Sequence, residues 1–426
     1  MKLLILTPQL PYPPQQGTTI RNFNLIKHLA PRHEITLLSF GTPDELENAA
    51  PLRALCRRIE IAPYPTRSLA QRAWTTLTSP LPDMALRLRS DAMHTLIDSL
   101  RDESFDIVQI EVIEMARYGL ASKIKNRKPV LSHALSKVEG ETEGSKIVFD
   151  DHNAEYVLQR TAFESDARRV SRWHAALYSL IQWKKLERYE RQICQHAHHI
   201  VACSDADATA IAALLNPKSE IQNLKSKITV IPNGVDTEFY VPSDQVCAKP
   251  LAELALVFTG KMDFRPNIDA MTWFSAEILP RVRAQAPLAH LVIVGQKPAP
   301  RIRALQQQSG IEVTGWVADT RPYIADAAVY VVPLRMGSGT RLKVLEAMAM
   351  GKAIVSTTRG VEGITLTPER DAILADTPAE FARAVITLLR DPERRRTLGR
   401  AAHTLAEEKY DWRTIVPAFD QVYARS

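Results

Sequence analysis

The chain has 426 residues, of which 45% are hydrophobic and 24% charged, and carries a net charge of +6. That length calls for two or three cores rather than one, and no apolar run approaches the ~20 residues of a membrane span. Four cysteines (Cys56, Cys194, Cys203 and Cys247) lack metal spacing and suggest no disulfide framework, which fits a reducing cytoplasm, and no nucleic-acid motif accompanies the modest positive charge.

The N-terminal MKLLILTPQLPYPP has only a short apolar run, Leu3 to Leu6, which ends in proline with no small-residue cleavage site. It predicts a first buried strand, not a signal peptide. Strands are expected at Lys2–Thr7, Glu34–Phe40, Ile59–Ala62, Asp106–Ile110, Ile147–Asp150 and Ile200–Cys203 in the first half. In the second half they are expected at Ile228–Ile231, Leu256–Thr259, Leu291–Val294, Glu312–Thr314, Val329–Val332 and Ala353–Ser356. These runs are continuously apolar, not alternating, which marks parallel strands covered on both faces by crossover helices. Two such sets in tandem predict an α/β protein of two doubly wound, Rossmann-like domains. Ligands in such sheets bind beyond the carboxyl ends of the strands, so the site is expected in the cleft where the two domains face each other.

The polar stretch 216–227 is the expected join, which gives domains 1–222 and 223–408. An aromatic amphipathic helix over 410–423 makes 409–426 a separate terminal element. The polar run 132–147 reads as a surface loop. Asp205-Ala-Asp207 has the D-x-D form of a metal-binding motif, but it follows a strand and opens a helix, so Ser204 and Asp205 are read as cap residues. Cys194, His196, His198, His199 and Cys203 lack zinc-finger spacing. No metal is expected. The basic stretch 168–191 carries Trp173, Leu177, Leu180 and Trp183 at helical spacing. It is either a domain helix with a solvated face or a peripheral contact with an anionic membrane.

The most informative stretch is VVPLRMGSGTRLKVLEAMAMGKAIVSTTRGVEGI, residues 331–364. A buried strand runs into a loop with Gly337, Ser338 and Gly339. A helix then begins near Thr340 and runs to Met350, where Gly351 stops it. Arg341 and Lys343 beside free N–H groups and the positive end of the helix dipole make an anion site. Lys343 and Glu346 sit side by side off the apolar arc of Leu342, Leu345, Met348 and Ala349. A cation for phosphate and a carboxylate for hydroxyls suit a nucleotide sugar; a surface i,i+3 salt bridge is the plainer alternative.

This segment resembles the C-terminal signature of the retaining glycosyltransferases of family 4, which have the GT-B fold. Their pattern is a Glu, seven residues, a second Glu, then A-M-A and Gly. L-E-A-M-A-M-G matches it, with Glu346 as the second Glu, which in the family binds the donor ribose. The first Glu falls at Ser338, a departure at the contact to the donor sugar. The subgroup with G-S-G-T-R-L-K is the closer match. V-I-P-N-G-V-D (230–236) resembles the family's entry into its second domain, and a terminal helix that returns to the N-terminal domain is a feature of that fold.

The resemblance extends to other loops. Gly17, in TPQLPYPPQQGTTIRNF (7–23), falls where the family has a glycine-bearing loop that reaches the donor phosphate and the acceptor. His152, in IVFDDHNAEY (147–156), matches a histidine that lines the cleft near the donor sugar. In FTGKMDFRPN (258–267) the family has an Arg after the Gly and a Lys five residues later, both on the diphosphate. Here Lys261 replaces the Arg and Pro266 the Lys, so Arg341 and Lys343 are expected to supply the missing charge. Gly315 to Ala327 resembles a loop that meets the nucleobase through its backbone.

The expected activity is therefore transfer of a sugar, with retention, from a nucleoside diphosphate sugar to a hydroxyl of a glycan or lipid-linked acceptor. His152 and Lys261 are the expected catalytic residues. Gly17, Lys261, Ser338, Gly339, Thr340, Arg341, Lys343 and Glu346 are the expected donor-binding residues. A nucleotide-sugar epimerase and a non-catalytic nucleotide-binding scaffold are the alternatives, the latter motivated by Ser338 and Pro266.

Overall fold

The computed structural model describes residues 1–121, 145–168, 172–215, 227–242, 254–337 and 339–426. They form two compact units, Met1–Ile231 with Val416–Ser426, and Pro232–Ile415. The 132–144 part of the expected surface loop, and most of the polar join at 216–227, lie outside the described residues.

The first unit holds a seven-stranded sheet of β1 (Lys2–Thr7), β2 (Glu34–Phe40), β3 (Arg58–Ala62), β4 (Ile107–Glu111), β5 (Lys146–Asp151), β6 (His199–Ala202) and β7 (Ile228–Val230). All neighbours pair in parallel, in the order β3-β2-β1-β4-β5-β6-β7. Beyond an exposed first lysine in β1 and β5 the central strands are buried, β4 at all five of its residues, because helices cover both faces. Leu6, Phe40, Ile110, Phe149 and Ile200 lie in its core.

The second unit repeats the plan with six strands, β8 (Ala255–Thr259), β9 (His290–Val294), β10 (Ile311–Gly315), β11 (Val329–Val332), β12 (Ile354–Ser356) and β13 (Ile373–Leu374). Their order is β10-β9-β8-β11-β12-β13. In each sheet the chain runs outward from the first strand, then returns to its other side. That reversal opens a crevice beyond the carboxyl ends of β1 and β4, and another beyond β8 and β11.

Three expectations need correction. The strand at Ile228, expected to open the second domain, pairs with β6 as the last strand of the first sheet. The chain changes unit only after it, at Ile231–Pro232. The 410–423 stretch is not one helix: Trp412–Ile415 ends the second unit and Pro417–Arg425 packs with the first. Pro417 lacks the N–H that would continue the first piece. The helix expected from Thr340 to Met350 spans Leu342–Ala349, because Gly337 and Gly339 (φ +101° and +80°) keep the preceding loop out of helical geometry. The two-residue β13 was too short to show an apolar pattern.

The end of β5 sends neighbouring side chains to opposite faces, as strand geometry requires. Asp150 meets Arg21 of the helix Gly17–Leu29, and Asp151 meets Glu190 of the helix Trp173–His196. Glu190 also accepts the backbone N–H groups of Glu155 (3.1 Å) and Tyr156 (2.9 Å), the first residues of the helix Glu155–Ala167. Burial, then the neighbouring Glu190 charge, raises the Asp151 carboxyl well above its ordinary range, and burial brings Glu190 to about 7. These directions favour a proton held between the Asp151 and Glu190 carboxyls. Because both carboxyls bind protons more tightly in the folded state, this contribution to stability is complete below about pH 4. It is lost as pH rises toward about 7. We predict that Asp151→Asn, which retains a donor toward Glu190, flattens the decline of unfolding free energy between pH 5 and pH 7 by about 1.4 kcal/mol per pH unit for each linked proton. Equal slopes for wild type and variant in chemical denaturation would exclude the shared proton.

Candidate functional site

In the second unit, the crevice between β8 and β11 collects most of the expected donor-binding residues. After β8 the chain turns through Gly260, at φ +152°, where a Cβ would stand 2.6 Å from Lys343 Nζ. Glycine is thus what lets the Lys343 ammonium lie against this turn. Lys343 Nζ donates to Asn267 Oδ1 at 3.0 Å and sits 3.9 Å from the centre of the Phe258 ring. Asn267 Nδ2 in turn donates to the Lys261 carbonyl at 2.9 Å. Asn267 is the residue after Pro266, in the first turn of the helix Arg265–Trp273. A lysine from the crossover between β11 and β12 thus fills the side of the β8 loop where the family resemblance had placed a cation at position 266.

The Arg341 guanidinium and the Pro266 ring both lie 3.3–3.5 Å from the position a Gly337 Cβ would take. Arg341 Nη2 lies 3.7 Å from Glu362 Oε2. Thr340 Oγ1 is buried with no hydrogen-bond partner among the described residues. Gly339 sits in the same loop, and Ser338 lies outside the described residues. Loss of water pulls the Arg341 pKa down, opposed by Glu362 and assisted by Arg359. The same loss of water brings Lys343 down to about 7, against the pull of Glu346 and with the push of Arg341. Two cations held this close and this dry form a site that an incoming anion would stabilise.

Lys343 and Glu346 do not pair with each other. Glu346 is bonded by the Tyr240 hydroxyl, and burial raises its pKa against the influence of Tyr240 and Lys343. Tyr240 ends the turn Asp236–Tyr240, in which Phe239 lies under the Arg321 guanidinium at 3.7 Å. Arg321 is held by both oxygens of Asp319. Trp316, beyond the end of β10, is 68% exposed and so does not serve as packing. Lys261 is about half exposed, and its Nζ is 3.8 Å from Asp263 Oδ1. Its side chain is a solvated loop lysine, and its backbone carbonyl is the part tied to Asn267.

Gly17 and His152 lie in the first unit. Gly17 is exposed as the first residue of the helix Gly17–Leu29. His152, just past β5, is 9% exposed, and its Nε2 is 2.8 Å from Glu111 Oε2 at the end of β4. Asp150 accepts Arg21 Nε at 2.9 Å and Nη2 at 3.0 Å, and Nη2 also reaches the Ile231 carbonyl at 3.2 Å. Sequence reasoning missed Glu111, Asn267 and Tyr240. Each acts through a neighbour distant in sequence and has no motif of its own.

Among the described residues, Glu111, Asp150 and His152 are the one set close enough to share a metal ion. Their chemistry does not suit one, since both Asp150 oxygens bond Arg21 and Glu111 Oε2 bonds His152. Asp207 of the D-x-D sequence is a structural acceptor, with Ser204 Oγ taking its N–H at 3.1 Å and Ala154 N–H donating to its Oδ1 at 3.1 Å. Ser204 is thus the cap, and Asp205 begins the helix Asp205–Leu215. The nearby histidines are spent singly: His198 accepts from Ile147 N–H, His199 meets Thr229, and His196 meets the Gln192 carbonyl. Of the four apolar residues noted in 168–191, Trp173 and Leu177 are exposed, while Leu180 and Trp183 are partly buried. The helix Leu69–Thr78 buries none of its residues and turns Leu69, Trp74 and Leu77 to solvent. No helix among the described residues is long and apolar enough to cross a membrane.

Comparison with known proteins gives this geometry a context. Residues 253–391 match the model described as glycosyl transferases group 1, and residues 16–239 match that of glycosyltransferase family 4. The D-inositol 3-phosphate glycosyltransferase of Kribbella flavida is 25% identical over 238 residues, covering 50% of this chain and 53% of that one. The chain spans about half the length of the curated relatives it matches. Among solved structures, sucrose-phosphate synthase from Thermosynechococcus elongatus superposes with a TM-score of 0.69 at 17% identity, over 100% of this chain and 99% of that one. Anabaena HepE in complex with UDP does so with a TM-score of 0.61 at 14% identity, over 100% of both. Two parallel α/β units and these neighbours establish the GT-B fold. With more than half of its residues matched by one family model, the chain belongs to glycosyltransferase family 4.

Proposed function

We propose that this protein transfers a sugar, with retention of anomeric configuration, from a nucleoside diphosphate sugar to a hydroxyl of a glycan or lipid-linked acceptor, in polysaccharide or cell-envelope glycan synthesis. The observation that carries this reading is the gathering of Arg341, Lys343 and Glu346 beyond β8 and β11. The two cations and the free N–H groups at the start of the helix Leu342–Ala349 stabilise the departing diphosphate. Glu346, one turn further along, accepts from the ribose hydroxyls. Gly339 and Thr340 bring backbone to the phosphates, and Lys261 reaches them from the opposite loop. His152 and Gly17 act on the sugar side of the reaction. Because cations occupy the place a metal would take, turnover survives EDTA. The exposed Leu69, Trp74, Leu77, Trp173 and Leu177 would give the protein a peripheral foothold on an anionic membrane, which co-sedimentation with phosphatidylglycerol vesicles tests.

The deciding experiment is a thermal-shift screen over nucleotide sugars, beginning with UDP-glucose. It is followed by turnover with and without added acceptor and by NMR assignment of the product anomer. Binding raises the melting temperature by mass action. Stabilisation without turnover leaves a binding scaffold, and conversion of donor without acceptor indicates an epimerase or a hydrolase.

Lys343 makes the binding step depend on pH. Its pKa near 7 in the free protein must rise when a diphosphate arrives, so binding above that pH takes up a proton. UDP affinity is expected to fall as pH rises from 7 to 8.5, with proton uptake measurable by calorimetry in buffers of different ionisation enthalpy. Lys343→Ala should abolish the uptake and weaken UDP binding by about 1.5–3 kcal/mol, the range for charge-assisted hydrogen bonds. Wild-type binding with no proton uptake at pH 8 would count against the assignment.

Glu346→Gln is expected to lower affinity for UDP more than for 2′-deoxy-UDP. Equal losses for the two ligands would make Glu346 a structural partner of Tyr240 alone.

A further inference from the structure

Glu111 occupies an unusual position. It is the last residue of β4, on the crevice side of the first sheet, and is fully buried. The next residue, Val112, has φ +61°, a left-handed conformation that a β-branched side chain rarely takes. The chain turns there directly into the helix Val112–Ala121. Strain of this kind is retained where the surroundings hold a residue in place. What it holds is the Glu111 carboxylate, under His152.

That carboxylate accepts from two amides and meets one ring nitrogen. His152 Nε2 lies 2.8 Å from Oε2, and Asn22, with its amide turned to satisfy its neighbours, donates to the same oxygen at 2.8 Å. Gln109 Nε2 donates to Oε1, and the Tyr423 hydroxyl donates to Gln109 Oε1. A buried chain of hydrogen bonds thus runs from the terminal helix Pro417–Arg425 through β4 to His152. The other charged groups facing it are Asp150, 4.0 Å from His152 Nε2, and Arg21, whose charge Asp150 already neutralises. Burial and the Asp150 charge raise the Glu111 pKa, while His152 and Gln109 pull it down. An ionised Glu111 fixes a hydrogen on Nε2, and His152 Nδ1 makes no hydrogen bond among the described residues.

We propose that Glu111 is a positioning residue for the transfer reaction. It locks His152 in the tautomer with hydrogen on Nε2, so that Nδ1 is the ring nitrogen offered as acceptor to a sugar hydroxyl. The orientation is set by Glu111 and braced by Asn22, Gln109 and Tyr423. This rests on the proposed role of His152 and assigns its second ring nitrogen to the substrate. Nothing in the amino-acid pattern around Glu111 announces such a role, since it follows from the register that places the end of β4 beside the end of β5.

Two measurements test it. Nitrogen-15 NMR of the histidine side chains reads the tautomer of His152 without any ligand. Glu111→Gln should mix the tautomers, because a carboxylate that only accepts is replaced by an amide that can donate or accept. Tyr423→Phe, further along the chain of bonds, should give the same change in smaller measure and guards against a misfolded Glu111 variant. Identical His152 shifts in wild type and Glu111→Gln would overturn the proposal. Turnover is then measured as nucleotide release from UDP- and GDP-sugars. Glu111→Gln should lower kcat about 10- to 100-fold, the range for outer partners that orient a histidine, with UDP affinity within twofold of wild type. A fall in UDP affinity and melting temperature in proportion to kcat would mark Glu111 as structural. Full turnover by His152→Ala, with the NMR signature of the pair intact, would instead remove His152 from the reaction.

Discussion

A guanidinium sealed from water must be neutralised where it lies, and the first unit is arranged around one. Arg21 is 1% exposed and meets both oxygens of Asp150, itself wholly buried. Removing one partner of such a pair costs about 3–5 kcal/mol, because a charge is left without compensation in a poor dielectric. The same guanidinium reaches the Ile231 carbonyl, the last residue before the chain leaves the first unit, and lies 5.6 Å from the Phe419 ring of the terminal helix. One side chain thus ties the first crossover helix, the end of β5, the exit strand and the returning C-terminus. With Arg21 committed to Asp150, Glu111 is left free to serve His152.

The second unit uses the opposite economy. There two basic side chains are brought into one dry loop. Lys343 has an amide oxygen and an aromatic face as partners, and Arg341 Nη2 lies 3.7 Å from Glu362 Oε2. Dry, crowded positive charge is unfavourable, and under the proposed function a diphosphate would relieve it. Backbone geometry makes the crowding feasible. At Gly260 any Cβ would collide with Lys343 Nζ, and at Gly337 the left-handed φ lets the loop lie on Arg341. Asn267 lies in the first turn of the helix that begins at Arg265, directly after Pro266, and there it anchors both Lys343 and the Lys261 carbonyl.

The two sheets share a plan but differ in what they place at the reversal of strand order. In the first, the ends of β4 and β5 carry carboxylates that bond one arginine and one histidine. In the second, the ends of β8 and β11 lead into glycine turns that admit backbone and cations. The first arrangement suits orienting hydroxyls and moving little charge. The second suits holding a polyanion. The Asp151–Glu190 pair, on the other face of β5, is a stability device with a pH cost and takes no part in either.

Much of this was legible in the residues themselves. Twelve strands were readable because parallel strands buried on both faces are continuous apolar runs, from Leu3–Leu6 to Ile354–Ser356. The closeness of Arg341, Lys343 and a helix start to the loop glycines was readable because they are local in sequence. What was not readable depends on contacts across long separations. The assignment of Ile228–Val230 to the first sheet is made by pairing with β6. The ends of the helix Leu342–Ala349 are set by backbone angles in the loop before it. Lys343 and Glu346, adjacent on a helical wheel, look like a salt bridge in one dimension. In three, Asn267 and Tyr240, 76 and 106 residues upstream, each take one of them. His152 was marked by its place at a strand end, but its partner Glu111 is 41 residues away and was chosen by strand register. Sequence pattern determined the elements, because burial and propensity act on neighbours along the chain. Only the tertiary structure decided which polar groups face each other, because a buried charge selects its partner by distance in space.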